Sequence, residues 1–169
     1  TVRFAASGAA ALPLGTFETI RDRYGVEVAQ GYGLTETSPV VTMGRGHAVR
    51  PSSVGKVLDG VTVALVDDNG MPVDIGDEGE VVVKGPGIFH GYLDDQAMTD
   101  AVLTDDGWFW TGDVGIFDEE GYLYLVDRIK DVVIVSGFNV YPAEVETALM
   151  KHPDVRGAIV TGHANAAMG

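Results

Sequence analysis

GWFWTGDVGIFDEEGYLYLVDRIKDVVIVSGFNVYPAEVE, from Gly107 to Glu146, sets the architecture of this chain. Two apolar runs, 109–117 and 122–126, flank Asp118-Glu-Glu-Gly121, a turn signal, and read as neighbouring strands. Residues 132–135 and 138–140 read as two more short strands. Pro142 then opens a helix, with Glu144 and Glu146 in its first turns complementing the dipole. A compact Thr111-Gly-Asp113 and a charged Asp127-Arg-Ile-Lys-Asp131 lie among these runs. Charges at strand ends and loops suit side chains that a rigid scaffold presents to a ligand. Trp108 and Trp110 read as structural, because burying their rings removes large apolar areas from water.

Upstream, residues 54–56, 61–66 and 78–84 alternate apolar and polar, separated by Asp67-Asp-Asn-Gly70 and Asp74-Ile-Gly-Asp77. That pattern predicts an antiparallel meander forming a small barrel-like subdomain. Gly85-Pro-Gly87 breaks it, 94–101 reads as a short helix, and 40–56 as a loop. At the start, 2–6 reads as a buried strand leading into a small-residue turn, Ser7 to Ala11. Pro13 suits a helix first turn, Leu14, Phe17, Ile20 and Tyr24 recur at helical spacing, and Gly25 is a suitable stop. Residues 26–29 then read as a second strand. Strand, helix and strand in about thirty residues predict a parallel unit with a right-handed crossover. Residues 155–161 read as the last strand.

The chain has 169 residues, of which 46% are hydrophobic, so it has material for a core. It contains no cysteine, which excludes disulfides and thiolate chemistry and fits a reducing cytoplasm. Residues 57–127 hold 17 Asp and Glu against Lys84 alone, and so acidic a middle disfavours nucleic acid as a partner. No apolar run reaches the length of a membrane span, which still leaves room for peripheral membrane contact. His47, His90, His152 and His163 are scattered and show no metal-ligand spacing. There is no Walker A loop and no Gly-x-Ser-x-Gly elbow.

Directly after the second strand comes Gln30-Gly-Tyr-Gly-Leu-Thr-Glu-Thr-Ser-Pro39. In open α/β sheets ligands bind beyond the carboxyl ends of the strands, so this loop and Ser7 to Ala11 are expected at one rim. Gly31 and Gly33 allow close backbone approach. Tyr32 offers a ring to a base, Thr35 a hydroxyl to phosphate, and Glu36 a carboxylate to Mg²⁺.

Ser7-Gly-Ala-Ala, Gly-Tyr-Gly-Leu-Thr-Glu, Trp-Thr-Gly-Asp, Asp-Arg-x-Lys-Asp and Ser-Gly-Phe-Asn-Val-Tyr-Pro-x-Glu-x-Glu, in this order, closely resemble the adenylate-forming superfamily, within it the bacterial fatty-acyl-CoA synthetases. The resemblance spans essentially the whole chain. It implies a mixed α/β fold in three parts. Residues 1–128 would be the C-terminal part of the large AMP-binding domain, with 1–50 closing a parallel α/β sheet and 51–128 forming an antiparallel distorted β-barrel. Residues 129–131 would be a hinge, and 132–169 the start of a small α+β lid.

The resemblance also implies an activity and roles. Members join a carboxylic acid to ATP as an acyl-adenylate and pass the acyl group to coenzyme A. Gly8, Ala9 and Ala10 would lie along the adenine and the acyl pocket, and Gly31 and Gly33 would border the nucleotide. Tyr32 would stack on adenine, Thr35 would bond phosphate and Glu36 would hold Mg²⁺. Asp113 would grip the ribose hydroxyls beside Arg128, and Lys130 would be the hinge. Ser136, Gly137 and Phe138 would line the CoA channel. The family's phosphate loop and C-terminal catalytic lysine are expected outside these residues, so the piece is expected to be inactive alone. Two other readings stay open: a ligase that loads a carrier protein, and a nucleotide-binding module without activity.

Overall fold

The computed structural model describes residues 2, 4–45, 48–135 and 138–163. Strand β1 (Ala5–Ser7), helix α1 (Leu14–Tyr24) and strand β2 (Val28–Tyr32) form the expected unit, with β1 and β2 parallel from Ala5↔Val28 to Ser7↔Gln30. Pro13 sits at the N-cap rather than inside the helix, its carbonyl accepting from Thr16 and Phe17, and Gly25 closes α1 at φ 63°. The expected apolar face is only partly used: Phe17 is buried, but Leu14 and Tyr24 are 50% and 64% exposed. The first strand is also later and less buried than its sequence predicts. β2 begins at Val28, opposite Ala5, so Val2 and Phe4 have no ladder partner and stand exposed.

The segment read as a loop over 40–56 contains β3 (Thr42–Met43), antiparallel to β2, and β3 in turn pairs with β4 (Lys56–Val57). The run expected to open the meander at 54–56 therefore belongs to the first sheet. A second sheet holds β5 (Thr62–Val66), β6 (Gly79–Lys84), β7 (Phe109–Phe117) and β8 (Leu123–Arg128), antiparallel in that order. Among the described residues it is open rather than a closed barrel. Closure would need β8 to pair with β5, but the free edge of β8 is taken elsewhere: Leu123 exchanges 2.9 Å backbone bonds with Val54 and Gly55. This stitch joins the two sheets. Their shared core is Tyr32, Val41, Leu65, Val81, Val83 and Leu123.

Helix α2 (Gln96–Val102) is capped by Asp95, whose carboxylate accepts from Met98 N–H at 2.9 Å. Beyond β8, β9 (Val133–Val135) and β10 (Phe138–Val140) pair antiparallel, and α3 (Pro142–Leu149) starts at Pro142 as expected. Residues 155–161 form no strand. Val160 N–H is spent on the Glu146 carboxylate at 2.8 Å rather than on a ladder partner, and Ile159 is 88% exposed.

Candidate functional site

The parallel pairing of β1 and β2 brings their following loops to one rim. A Cβ at Gly8 would lie 3.4 Å from the Gly31 carbonyl oxygen. Ala9 holds φ 67°, a left-handed conformation that costs a non-glycine residue energy and recurs at ligand sites. Buried Gln30 fixes the two loops together: Leu12 N–H donates to its side chain at 3.0 Å, and its amide donates to the Ser53 carbonyl at 3.4 Å. Ala10 and Thr35 are exposed at this rim, and Thr35–Thr37 form one 3₁₀ turn. Gly33 is required by the loop itself, since a Cβ there would stand 2.0 Å from the Pro39 carbonyl oxygen.

Three strands meet at Asp113. Its carboxylate, in a residue only 6% exposed, accepts from the Tyr32 hydroxyl at 2.7 Å and from Arg128 Nε at 2.9 Å. Asp113 and Arg128 are register partners on β7 and β8, so the ladder itself sets the ion pair. Burial, and after it the Asp113 charge, pushes the Tyr32 phenol well above its ordinary range, so it stays a neutral donor. Its ring belongs to the inter-sheet core.

The Thr111-Gly-Asp stretch of β7 is held from β6. Thr111 donates to the Val81 carbonyl at 2.7 Å, and Gly112 N–H donates to the Glu80 carboxylate at 3.0 Å. Burial raises the Glu80 carboxyl above the usual range; the Gly112 bond opposes this, and the nearby Asp113 and Asp68 charges add to it. Glu36 in turn accepts from the Tyr92 hydroxyl at 2.9 Å. Sequence reasoning missed Gln30, Glu80 and Tyr92. Glu80 shows only as an ordinary polar position of an alternating strand, and Tyr92 carries no pattern at all.

Among the described residues no three His, Cys, Asp or Glu side chains converge as a metal cluster. Mg²⁺ carried on nucleotide phosphates needs only one or two protein carboxylates. Glu36, engaged by one neutral phenol, fits that requirement.

Lys130 is exposed in a 3₁₀ turn, Ile129–Asp131, two residues past Arg128. It borders a cavity of ≈ 900 Å³ lined also by Asp127, Val133, Pro142, Glu146 and Val160. Phe138 is exposed on β10, and no described hydrogen bond or ring contact joins it to the Asp113 cluster; Ser136 and Gly137 lie outside the described residues. Among the described residues, two bonds to side chains run from residues before Lys130 to the segment after it. Tyr141 donates to Glu78 at 2.5 Å, and Ala143 N–H at the start of α3 donates to Asp127 at 3.1 Å.

In open α/β sheets ligands bind beyond the carboxyl ends of parallel strands, and here that end of β2 carries Tyr32, which reaches Asp113. The chain belongs to the AMP-binding enzyme family, whose model matches residues 1–93. It is 39% identical to a long-chain-fatty-acid–CoA ligase of Yersinia pestis, over 100% of this chain and 30% of that protein. MatB from Rhodopseudomonas palustris with ATP bound superposes at TM-score 0.91 and 39% identity, over 99% of this chain and 33% of that one. The o-succinylbenzoate CoA synthetase of Bacillus subtilis, in complex with its acyl-adenylate intermediate, superposes at 0.87 and 34% identity, over 99% and 34%. The chain thus spans about a third of the length of these proteins.

Proposed function

We propose that this chain is the ribose- and magnesium-gripping portion, with the hinge, of an ATP-dependent acid–CoA ligase. The observation that carries the reading is Asp113, a nearly buried carboxylate held by a phenol from β2 and a guanidinium from β8. A carboxylate fixed at both oxygens is pre-oriented to accept the two hydroxyls of a ribose, and the Arg128 fork beside it adds donors. Thr35 takes the phosphate side, Glu36 the magnesium, and Gly8, Ala9 and Ala10 border adenine and acyl group together with Gly31 and Gly33. Tyr32 fixes Asp113, and we take the ring edge that the inter-sheet core leaves free to border the adenine.

In this reading the acid's carboxylate oxygen attacks the α-phosphorus of ATP and pyrophosphate leaves. The CoA sulfur then attacks the acyl carbonyl and AMP leaves. Bound Mg²⁺ supplies charge neutralisation on the phosphates. Residues 1–128 form the body, 129–131 the hinge about Lys130, and 132–169 the beginning of a lid whose Ser136, Gly137 and Phe138 line the CoA path. We take the acid to be a fatty acid and the setting to be the cytoplasm. The Val-Ser-Gly-Phe-Asn-Val-Tyr-Pro run and the Yersinia relative's name support the first.

Pyrophosphate release by the protein of full family length, across a panel of acids with and without CoA, tests this. Fatty acids are expected to give the highest release, with acyl-CoA formed on adding CoA, and Asp113→Ala to weaken ATP binding by tenfold or more. Release without thioester, passed on only to a carrier protein, would replace CoA as acceptor. No acid-dependent release would end the ligase reading.

A further inference from the structure

Glu36 is gripped by a segment outside the motifs that flank it. Phe89 N–H donates to the Glu36 carbonyl at 2.9 Å, and the Tyr92 hydroxyl donates to Glu36 Oε1 at 2.9 Å. Two glycines let this strap lie close. A Cβ at Gly87 would stand 2.7 Å from the Thr37 carbonyl oxygen, and one at Gly91, where φ is 139°, 2.7 Å from Thr99 Cγ2. Tyr92 is also fixed from its own side. Its N–H donates to Thr99 Oγ1 at 2.9 Å, and Thr99 donates to the Asp95 carbonyl at the start of α2. Its ring packs edge-on against Phe89 at 4.9 Å, and Phe89 packs in the same way on buried Phe109 at 5.5 Å.

We propose that Tyr92 is a positioning residue for the metal–nucleotide site: its hydroxyl holds the Glu36 carboxylate in the orientation that receives the magnesium ion of Mg·ATP. This rests on the reading of Glu36 as the magnesium-side carboxylate. The choice of donor follows from charge. A Lys or Arg partner would neutralise Glu36 and compete with the cation, whereas a phenol orients one oxygen and leaves the full negative charge in place. Among the described residues no other side-chain hydrogen bond or ion pair engages this carboxylate.

The test is calorimetric titration of ATP into wild type, Tyr92→Phe, Glu36→Gln and the double variant, each with Mg²⁺ and in EDTA. The readout is the ratio of the two affinities. Tyr92→Phe is expected to lower that ratio by about three- to tenfold, the range of one lost hydrogen bond, while the affinity in EDTA stays at the wild-type value. The double variant should match Glu36→Gln alone, because the phenol acts only through that carboxylate. An unchanged ratio in Tyr92→Phe, an equal loss with and without Mg²⁺, or additive losses in the double variant would overturn the proposal. If Glu36→Gln itself keeps the wild-type ratio, the magnesium role of Glu36 falls and this inference falls with it, a pattern distinct from failure of Tyr92→Phe alone.

Discussion

Asp113 gathers Tyr32 from β2 and Arg128 from β8, and the three differ in how far the sequence betrays them. Asp113 and Arg128 stand out as charges interrupting apolar strands. The tie to Tyr32 joins residues 81 positions apart and follows from how the two sheets share a core, which no local pattern encodes. Glu80 was hidden in another way, as a polar residue in a strand that alternates. Its raised carboxyl makes a testable case. Protonated Glu80 is favoured in the folded state, so its contribution to stability is complete below its ordinary value of 4.5 and is lost as pH rises through the raised folded value. Glu80→Gln keeps an oxygen for Gly112 N–H and removes the charge. It is expected to be more stable than wild type near neutral pH, by less than about 1 kcal/mol because solvent screens a half-exposed carboxylate. Urea midpoints should converge as pH falls toward 4.5. A difference that ignores pH would mean the charge is not the cause.

Among the elements, those defined by local pattern were legible and those defined by a partner were not. The strand at 109–117 appears with the bounds its sequence predicts, because it is one apolar run and the turn at Asp118 to Gly121 fixes its end. The β1–α1–β2 unit is also legible, with its boundaries displaced. β3 and β4 have two residues each and exist only through their ladders: the alternation at 54–56 points to a strand there but to the wrong sheet, and nothing announces β3. Gly55 is where that hidden pairing becomes testable. It has φ 92°, and a Cβ there would lie 2.1 Å from the Met43 carbonyl carbon, with Leu123 bonded to its own carbonyl. Gly55→Ala must move backbone in β3 or break the stitch between the sheets, and is expected to cost more than about 2 kcal/mol in urea unfolding. Gly60→Ala is the control, at φ 83° with nothing within 4 Å of the added carbon. It should cost only about 1 kcal/mol. Equal losses at the two sites would show that backbone conformation, and not the stitch, governs Gly55.

At the scale of the whole molecule, the two sheets share one core, and the elements after Lys130 rest on it through Tyr141–Glu78 and Ala143–Asp127. The helix at Pro142 was legible from proline and acidic residues. Its cap was not, because the capping carboxylate sits 16 residues earlier on β8. Both bonds have one partner on either side of residue 130, so rotation about a hinge there has to break both. On the proposed hinge at 129–131 they would hold the later elements in this orientation. Asp127→Ala removes a cap worth about 1 kcal/mol, which corresponds to roughly fivefold faster hydrogen exchange at the Ala143 amide and its neighbours in α3. Tyr141→Phe should act in the same direction on 138–149. Neither should alter exchange in β6 and β7, whose ladder bonds lie wholly within the body. Acceleration spread evenly through β5 to β8 would mean that the two parts open as one unit, and the hinge at Lys130 would then have to be given up.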